Sequence, residues 1–234
     1  FDQTTARSNF SLLCFAAISL VVPLAFKLTQ QDATLLDQGL TVLSFSIAMI
    51  LLIIYVLGLV FSLITQKNLF LDHDSDANGK TAKWSLRYAF GVLAAASLLV
   101  AFESELLISK VEAAIQSLNL PELFIGIIIV PILGNVAEHT SAIVMAMRNK
   151  VYISVEIAIG SSMQIAMFVA PILVLVSFAL GNPMIYLYDP FEVIAVITAI
   201  LLSLYVFQDG KTYWLEGALL TFTYIVFCVA FFFK

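Results

Sequence analysis

Two short stretches put oxygen-bearing side chains inside long apolar runs. Gly134-Asn135-Val136-Ala137-Glu138 and Gly160-Ser161-Ser162-Met163-Gln164 each pass from Gly through a small polar residue and two spacers to a long side chain ending in oxygen. Positions three apart share a helix face, so Asn135 lines up with Glu138 and Ser161 with Gln164. Carboxylate, amide, hydroxyl and freed carbonyl oxygens together make a ligand set for a hard cation such as Ca²⁺. Glu138 can equally hold a proton. His139, one step along, projects about 100° away, which suits a proton relay or a partner to the carboxylate better than a ligand.

The elements that carry these stretches are set by composition. The chain is 62% hydrophobic and 12% charged, with mean hydropathy +1.03; soluble domains carry roughly a quarter charged residues. A bilayer core of about 30 Å needs roughly 20 apolar residues per helix. Segments near 10–28, 40–64, 86–109, 122–147, 153–178, 190–207 and 213–233 meet that length. The expected fold is therefore an all-α integral membrane protein with seven transmembrane helices. An ionised carboxylate near the bilayer centre costs several kcal/mol, so Glu138 needs a cation, a proton or a polar cavity. A protonated carboxyl donating one hydrogen bond is the plainer alternative.

The fourth and fifth segments are joined by the tight connection RNKV. The midpoint of 138 and 164 is 151, within that connection, so both side chains are expected about 13 residues, ~20 Å, from the turn. Pro131, Gly134, Gly160 and Pro171 predict breaks in both helices. Carbonyls freed at that depth are tolerated only where they line a polar cavity. Helix packing and interhelical hydrogen bonds explain Asn135, Ser161 and Ser162 singly as well as ligation does.

Lys and Arg set the orientation. Arg7, Lys67, Lys80, Lys83, Arg87, Arg148, Lys150 and Lys211 fall on one side; Lys27, Lys110 and Lys234 fall on the other. Eight against three places the N-terminal end and the 65–85 linker in the cytoplasm and Lys234 on the opposite side. Net charge −5 gives no sign of nucleic-acid binding. Cys14 and Cys228 sit in apolar runs and suggest neither a disulfide framework nor a metal site. In the linker, Asp72, Asp74 and Asp76 imitate the start of an EF-hand loop, but Ala77 and Lys83 stand where that loop needs Gly and Glu. A solvated charged linker is the better reading. Glu105 (with Glu103) and Glu156 lie near the interfaces, where they suit a cation vestibule or simple solvation. A faint echo between LLDQGLTVLSFSI and WLEGALLTFTYIV hints at repeated halves. The opening FDQTTARSNF, without initiator Met or leader, reads as the interior of a longer protein. A retinal protein needs a Lys within the seventh helix, and an intramembrane metalloprotease needs more ligands than His139 supplies; neither pattern is present.

GNVAEH followed by GSSMQIAMFVAP resembles the second signature repeat of the Ca²⁺/H⁺ antiporters, the cation/proton exchanger family. The approach PELFIGIIIVPILGN and the downstream FEV and DGKTYWLEG are similar as well. The related Na⁺/Ca²⁺ exchangers tend to carry an acid where this chain has Gln164. The resemblance implies a lone first helix followed by two inverted five-helix halves, each contributing one essential Glu. Residues 1–64 would then be the last two helices of the first half, 65–85 the cytoplasmic linker between halves, and 86–234 the second half. The first signature repeat is absent from this chain, so missing N-terminal helices of the same protein would complete the site.

The implied activity is secondary active exchange of Ca²⁺, or a similar divalent cation, for H⁺ by alternating access, in a prokaryotic plasma membrane or a vacuolar-type membrane. Glu138 would bind cation or proton. Asn135, Gly134, Ser161, Ser162 and Gln164 would complete the ligands, His139 would assist proton coupling, and Glu105 and Glu156 would line a vestibule. No cofactor is implied beyond Ca²⁺ and H⁺ as the transported ions, and no enzyme activity. A Na⁺/Ca²⁺-type exchanger and a non-transporting membrane fragment are the alternatives.

Overall fold

A computed structural model describes residues 3–30, 32–62, 85–118, 120–207 and 213–234, and the regular structure among them is helical. The helices are α1 (Gln3–Thr29), α2 (Ala33–Val60), α3 (Leu86–Leu118), α4 (Glu122–Gly134), α5 (Val136–Met147), α6 (Val151–Ala179), α7 (Pro190–Phe207) and α8 (Trp214–Phe232). Six of these contain a stretch long and apolar enough to cross a membrane, and the bent pair α4–α5 makes a seventh. The seven expected segments are thus all found. The imitation EF-hand at Asp72–Lys83 lies outside the described residues, as do Lys67 and Lys211.

Helix ends follow local chemistry. α2 begins at Ala33, well before the expected 40, because Asp32 caps it. The Asp32 carboxylate accepts from the amides of Thr34 (2.9 Å) and Leu35 (3.3 Å) and from the Thr34 hydroxyl (2.7 Å). Those bonds, the Thr34 hydroxyl first, hold the Asp32 carboxyl below its ordinary pKa. α7 opens on the tetrapeptide DPFE as a capping box. Asp189 accepts from Phe191 N (2.9 Å), Glu192 accepts from Asp189 N (3.0 Å), and Pro190 occupies the first helical position, where no N–H is needed.

The RNK turn closes α5 as a Schellman motif. Lys150 N donates to Met145 O (2.9 Å) and Asn149 N to Ala146 O (3.0 Å), with Asn149 in the left-handed region at φ 58. α6 ends the same way, with Gly181 at φ 80, Asn182 N bonded to Ser177 O (3.1 Å) and Gly181 N bonded to Phe178 O (3.2 Å).

α4 and α6 share a distortion. Ile125–Ile129 and Ile165–Val169 are π-helical turns, each closed by a bond five residues back, Val130 N to Ile125 O and Ala170 N to Ile165 O. Each ends two residues before a proline, in IGIIIVPIL and IAMFVAPIL, at a spacing of 40 residues. Proline offers no N–H, and its ring clashes with the carbonyl four back; the wider turn relieves that clash.

By packing the chain falls into two units, residues 1–63 with 135–227 and residues 64–134 with 228–234. In the first, α1 packs on α2, α6 and α7, α2 on α6, and α5 on α6. Its core is Ala16, Ile47, Ala48, Leu51, Met167, Val174 and Tyr186, with a second cluster of Phe10, Leu13, Val155 and Ile159. Gly39 lets α1 and α2 close tightly, since a Cβ there would lie 2.6 Å from the Phe26 ring. In the second unit, Phe124 and Phe232 meet edge to face at 5.4 Å. α3 buries none of its spanning stretch Leu86–Leu106.

Candidate functional site

The break expected in the fourth segment occurs at Asn135. α4 stops at Gly134, Asn135 takes φ −107, ψ 19, and α5 starts at Val136. Glu138 therefore occupies the first turn of α5, half-buried. The amides of a helix's first turn lack intrahelical acceptors and carry the positive end of its dipole, so the break places Glu138 beside a local positive potential. The Asn135 carbonyl starts the new helix by accepting from His139 N at 2.9 Å. The Asn135 side chain makes no cap bond to α5.

The second expected break does not form. α6 stays helical through Gly160, and its ladder is perturbed only by the π turn that follows Gln164. A glycine within a helix costs about 1 kcal/mol. Unwinding it in lipid would strand several backbone groups at a higher cost.

Ser161 and Ser162 both donate back to Ala158 O, at 3.2 and 2.9 Å. Their protons are thereby committed to the backbone, and the hydroxyl lone pairs stay available to accept or to ligate. Ser161 is half-buried, and Ser162, Gln164 and His139 are exposed. Glu156 is exposed in the second turn of α6, and Glu105 is exposed on α3 in the other unit.

α5 and α6 form one antiparallel hairpin about Asn149. That centre is two residues earlier than equal depth for Glu138 and Gln164 requires. Counting outward from it brings Glu138 level with Gly160 and Ser161, and Gln164 sits about 6 Å further along. The length of a Gln side chain spans most of that offset. Ser162 turns elsewhere. It lines a cavity of about 500 Å³ bounded by α1, α6, α7 and the 181–189 segment, and neither Ser161 nor Gln164 contributes to that wall. The six candidate ligands are therefore not one cluster within this chain. Gly134 closes the helix before the break, Asn135, Glu138, Ser161 and Gln164 belong to the α5–α6 hairpin, and Ser162 belongs to the cavity.

The 181–189 segment carries no helix and is anchored to the bundle at two points. Met184 N donates to Ser177 Oγ (2.7 Å), and Tyr186 N donates to Ser44 Oγ (2.9 Å) near the middle of α2. The chain thus folds back into the bundle and buries the Tyr186 ring to 2% exposure. Nothing in the sequence pattern singles out Tyr186, Ser44 or Glu192 individually as residues of this cavity region. The signal for the segment as a whole is the run Met184-Ile185-Tyr186-Leu187-Tyr188, too apolar for a connection in water.

Six apolar helices, a seventh span broken at mid-chain and an acid set directly after the break define a multi-pass helical membrane protein organised around an interrupted helix. The profile of the sodium/calcium exchanger protein family matches residues 88–233. The chain belongs to that family. It is 39% identical over its whole length to the Ca²⁺/H⁺ antiporter of Aphanothece halophytica, of which it covers 65%, and 39% identical over 99% of its length to the Ca²⁺/H⁺ antiporter ChaA of Bacillus subtilis, of which it covers 66%. Its fold matches the native YfkE structure over the whole chain with TM-score 0.78 and 36% identity, covering 65% of that chain. The chain thus spans about two thirds of the length of these relatives.

Proposed function

We propose that this chain is the larger part of a cation/proton antiporter that exchanges Ca²⁺, or a similar divalent cation, for H⁺. The observation that carries the reading is Glu138 in the first turn after the Asn135 break, on a helix packed directly against the one bearing Ser161 and Gln164. The whole-chain likeness to relatives named as Ca²⁺/H⁺ antiporters supports it. Proton and cation compete for the Glu138 oxygens. A second carboxylate, supplied by helices outside this chain, completes the site. One Ca²⁺ neutralises two carboxylates, and so do two protons. Either loaded site can be carried through a low-dielectric barrier, whereas an empty doubly charged site is opposed by the cost of desolvating two ions. That asymmetry enforces exchange.

Gln164 contributes a neutral oxygen, which keeps the charge count at two and favours H⁺ over Na⁺ as the coupling ion. Asn135 and Ser161 add neutral oxygens. His139 relays protons to the carboxylate. Glu105 and Glu156 gather cations at the two surfaces. The N-terminal end lies in the cytoplasm, and alternating access comes from movement of the remaining helices about this hairpin. The test is Ca²⁺ uptake driven by an imposed pH gradient into vesicles holding the full-length protein. Uptake in the wild type and its loss in Glu138→Gln support the reading; undiminished uptake in that variant refutes the assignment.

A further inference from the structure

The cavity beside α6 has features that the exchange site does not use. On α7 its wall runs from Glu192 through Val196, Ala199 and Ser203 to Phe207, with Val193 and Ile200 beside them. These positions lie on one face of the helix. The cavity therefore runs alongside α7 for 15 residues, about 22 Å, from its N-terminal turn to its end. Spread over that length, about 500 Å³ gives a passage roughly 5 Å across. Such a volume holds on the order of a dozen waters at about 30 Å³ each.

Its polar groups are strung along the passage. Glu192 stands at the end where α7 begins, Ser203 lies one turn from the other end of the helix, and Ser162, Tyr186 and Tyr188 contribute from α6 and the folded-back segment.

The titratable groups of the lining are Glu192, Tyr186 and Tyr188, with Asp189 hydrogen-bonded to Glu192; the α1 and α6 walls contribute none. A Ca²⁺ ion requires six to eight oxygens, and these largely apolar walls do not supply them around any one point. A proton requires only a connected chain of waters and hydroxyls. Resting on the exchanger reading, we propose that this cavity is a hydrated proton passage to the face of α6 that bears Ser162, separate from the path of the divalent cation, with Glu192 as its proton-collecting carboxylate.

The experiment compares two activities of the full-length protein in vesicles, Ca²⁺ uptake driven by a pH gradient and Ca²⁺/Ca²⁺ exchange at equal pH, which moves no protons. Glu192→Gln retains an oxygen to accept from Asp189 N, so the start of α7 is preserved. It should slow proton-driven uptake by roughly a hundredfold, the low end of what losing a positioned proton-transfer group costs, while Ca²⁺/Ca²⁺ exchange is unchanged. Equal loss of both activities, or loss of neither, overturns the proposal. Hydration is read without transport. Ser203→Cys should react with a membrane-impermeant cationic methanethiosulfonate well ahead of Leu201→Cys, whose position is 56% exposed on the outer face of α7. Reaction of Ser203→Cys no faster than the control shows a dry or lipid-filled cavity and overturns the proposal. A wild type without proton-driven uptake defeats the exchanger reading itself, whereas the labelling result still decides whether the cavity is wet.

Discussion

The amide of Tyr186 donates a 2.9 Å hydrogen bond to the hydroxyl of Ser44, a contact that bridges 142 residues and is wholly buried. It ties the segment between α6 and α7 to the middle of α2, and so fixes one wall of the cavity. Ser44 is 0% exposed, and replacing it with Ala leaves the Tyr186 N–H without an acceptor. That loss should cost about 1–3 kcal/mol. Thermal stability in detergent should fall, and hydrogen exchange at the Tyr186 amide should quicken. An unchanged exchange rate there would show that the segment is held by packing alone.

The α5–α6 hairpin depends on one residue in the left-handed region. Asn149, at φ 58, closes the Schellman turn that sets the register of Glu138 against α6. Ala at this position pays the left-handed penalty of about 1 kcal/mol, which Gly avoids. Stability measurements on Asn149→Ala and Asn149→Gly should therefore diverge, with the Gly variant at or above wild type. Equal destabilisation by both would mean that the Asn side chain, not the backbone angle, holds the turn.

The start of α2 should respond to pH with a definite sign. Asp32, ordinarily titrating near 3.8, is held lower by the Thr34 hydroxyl and then by the Leu35 and Thr34 amides. A depressed carboxyl favours the folded cap in its ionised form. Its contribution is complete above the ordinary value and disappears as pH falls through the lower folded one. Amide exchange at Thr34 and Leu35 should be slow near neutral pH and lose its protection only in acid. Asp32→Ala should show the unprotected rate at every pH once the intrinsic pH dependence of exchange is removed; protection that survives in that variant rules out the cap.

Much of this architecture is written locally and so was legible. Twenty-residue apolar runs bounded by charge define spans because the bilayer's thickness is fixed, and all seven came through. The Gly134-Asn135 break was legible too, since Pro131, Gly134 and Asn135 are each poor helix formers and stand within five residues of one another. The matching break at Gly160 was not, because a lone Gly weighs less than the backbone hydrogen bonds that lipid makes obligatory. Ends set by short side chains moved helix limits; Asp32 carried α2 seven residues beyond the apolar run. The turn centre at Asn149, two residues from the estimate, shifted Glu138 along α6 by a helical turn. The least legible feature was the fold-back of 181–189. Its anchor on Ser44 is distant in sequence, and a single Ser in an apolar helix does not announce a partner.

The central claim is that the oxygens of Glu138 hold a divalent cation and a proton by turns. Its most direct measurement is proton release on addition of Ca²⁺ to the purified full-length protein in weakly buffered solution, at an acidic pH where the site is protonated. The account predicts that Ca²⁺ expels protons from the wild type and that Glu138→Gln releases fewer or none. Equal release from both proteins would contradict it.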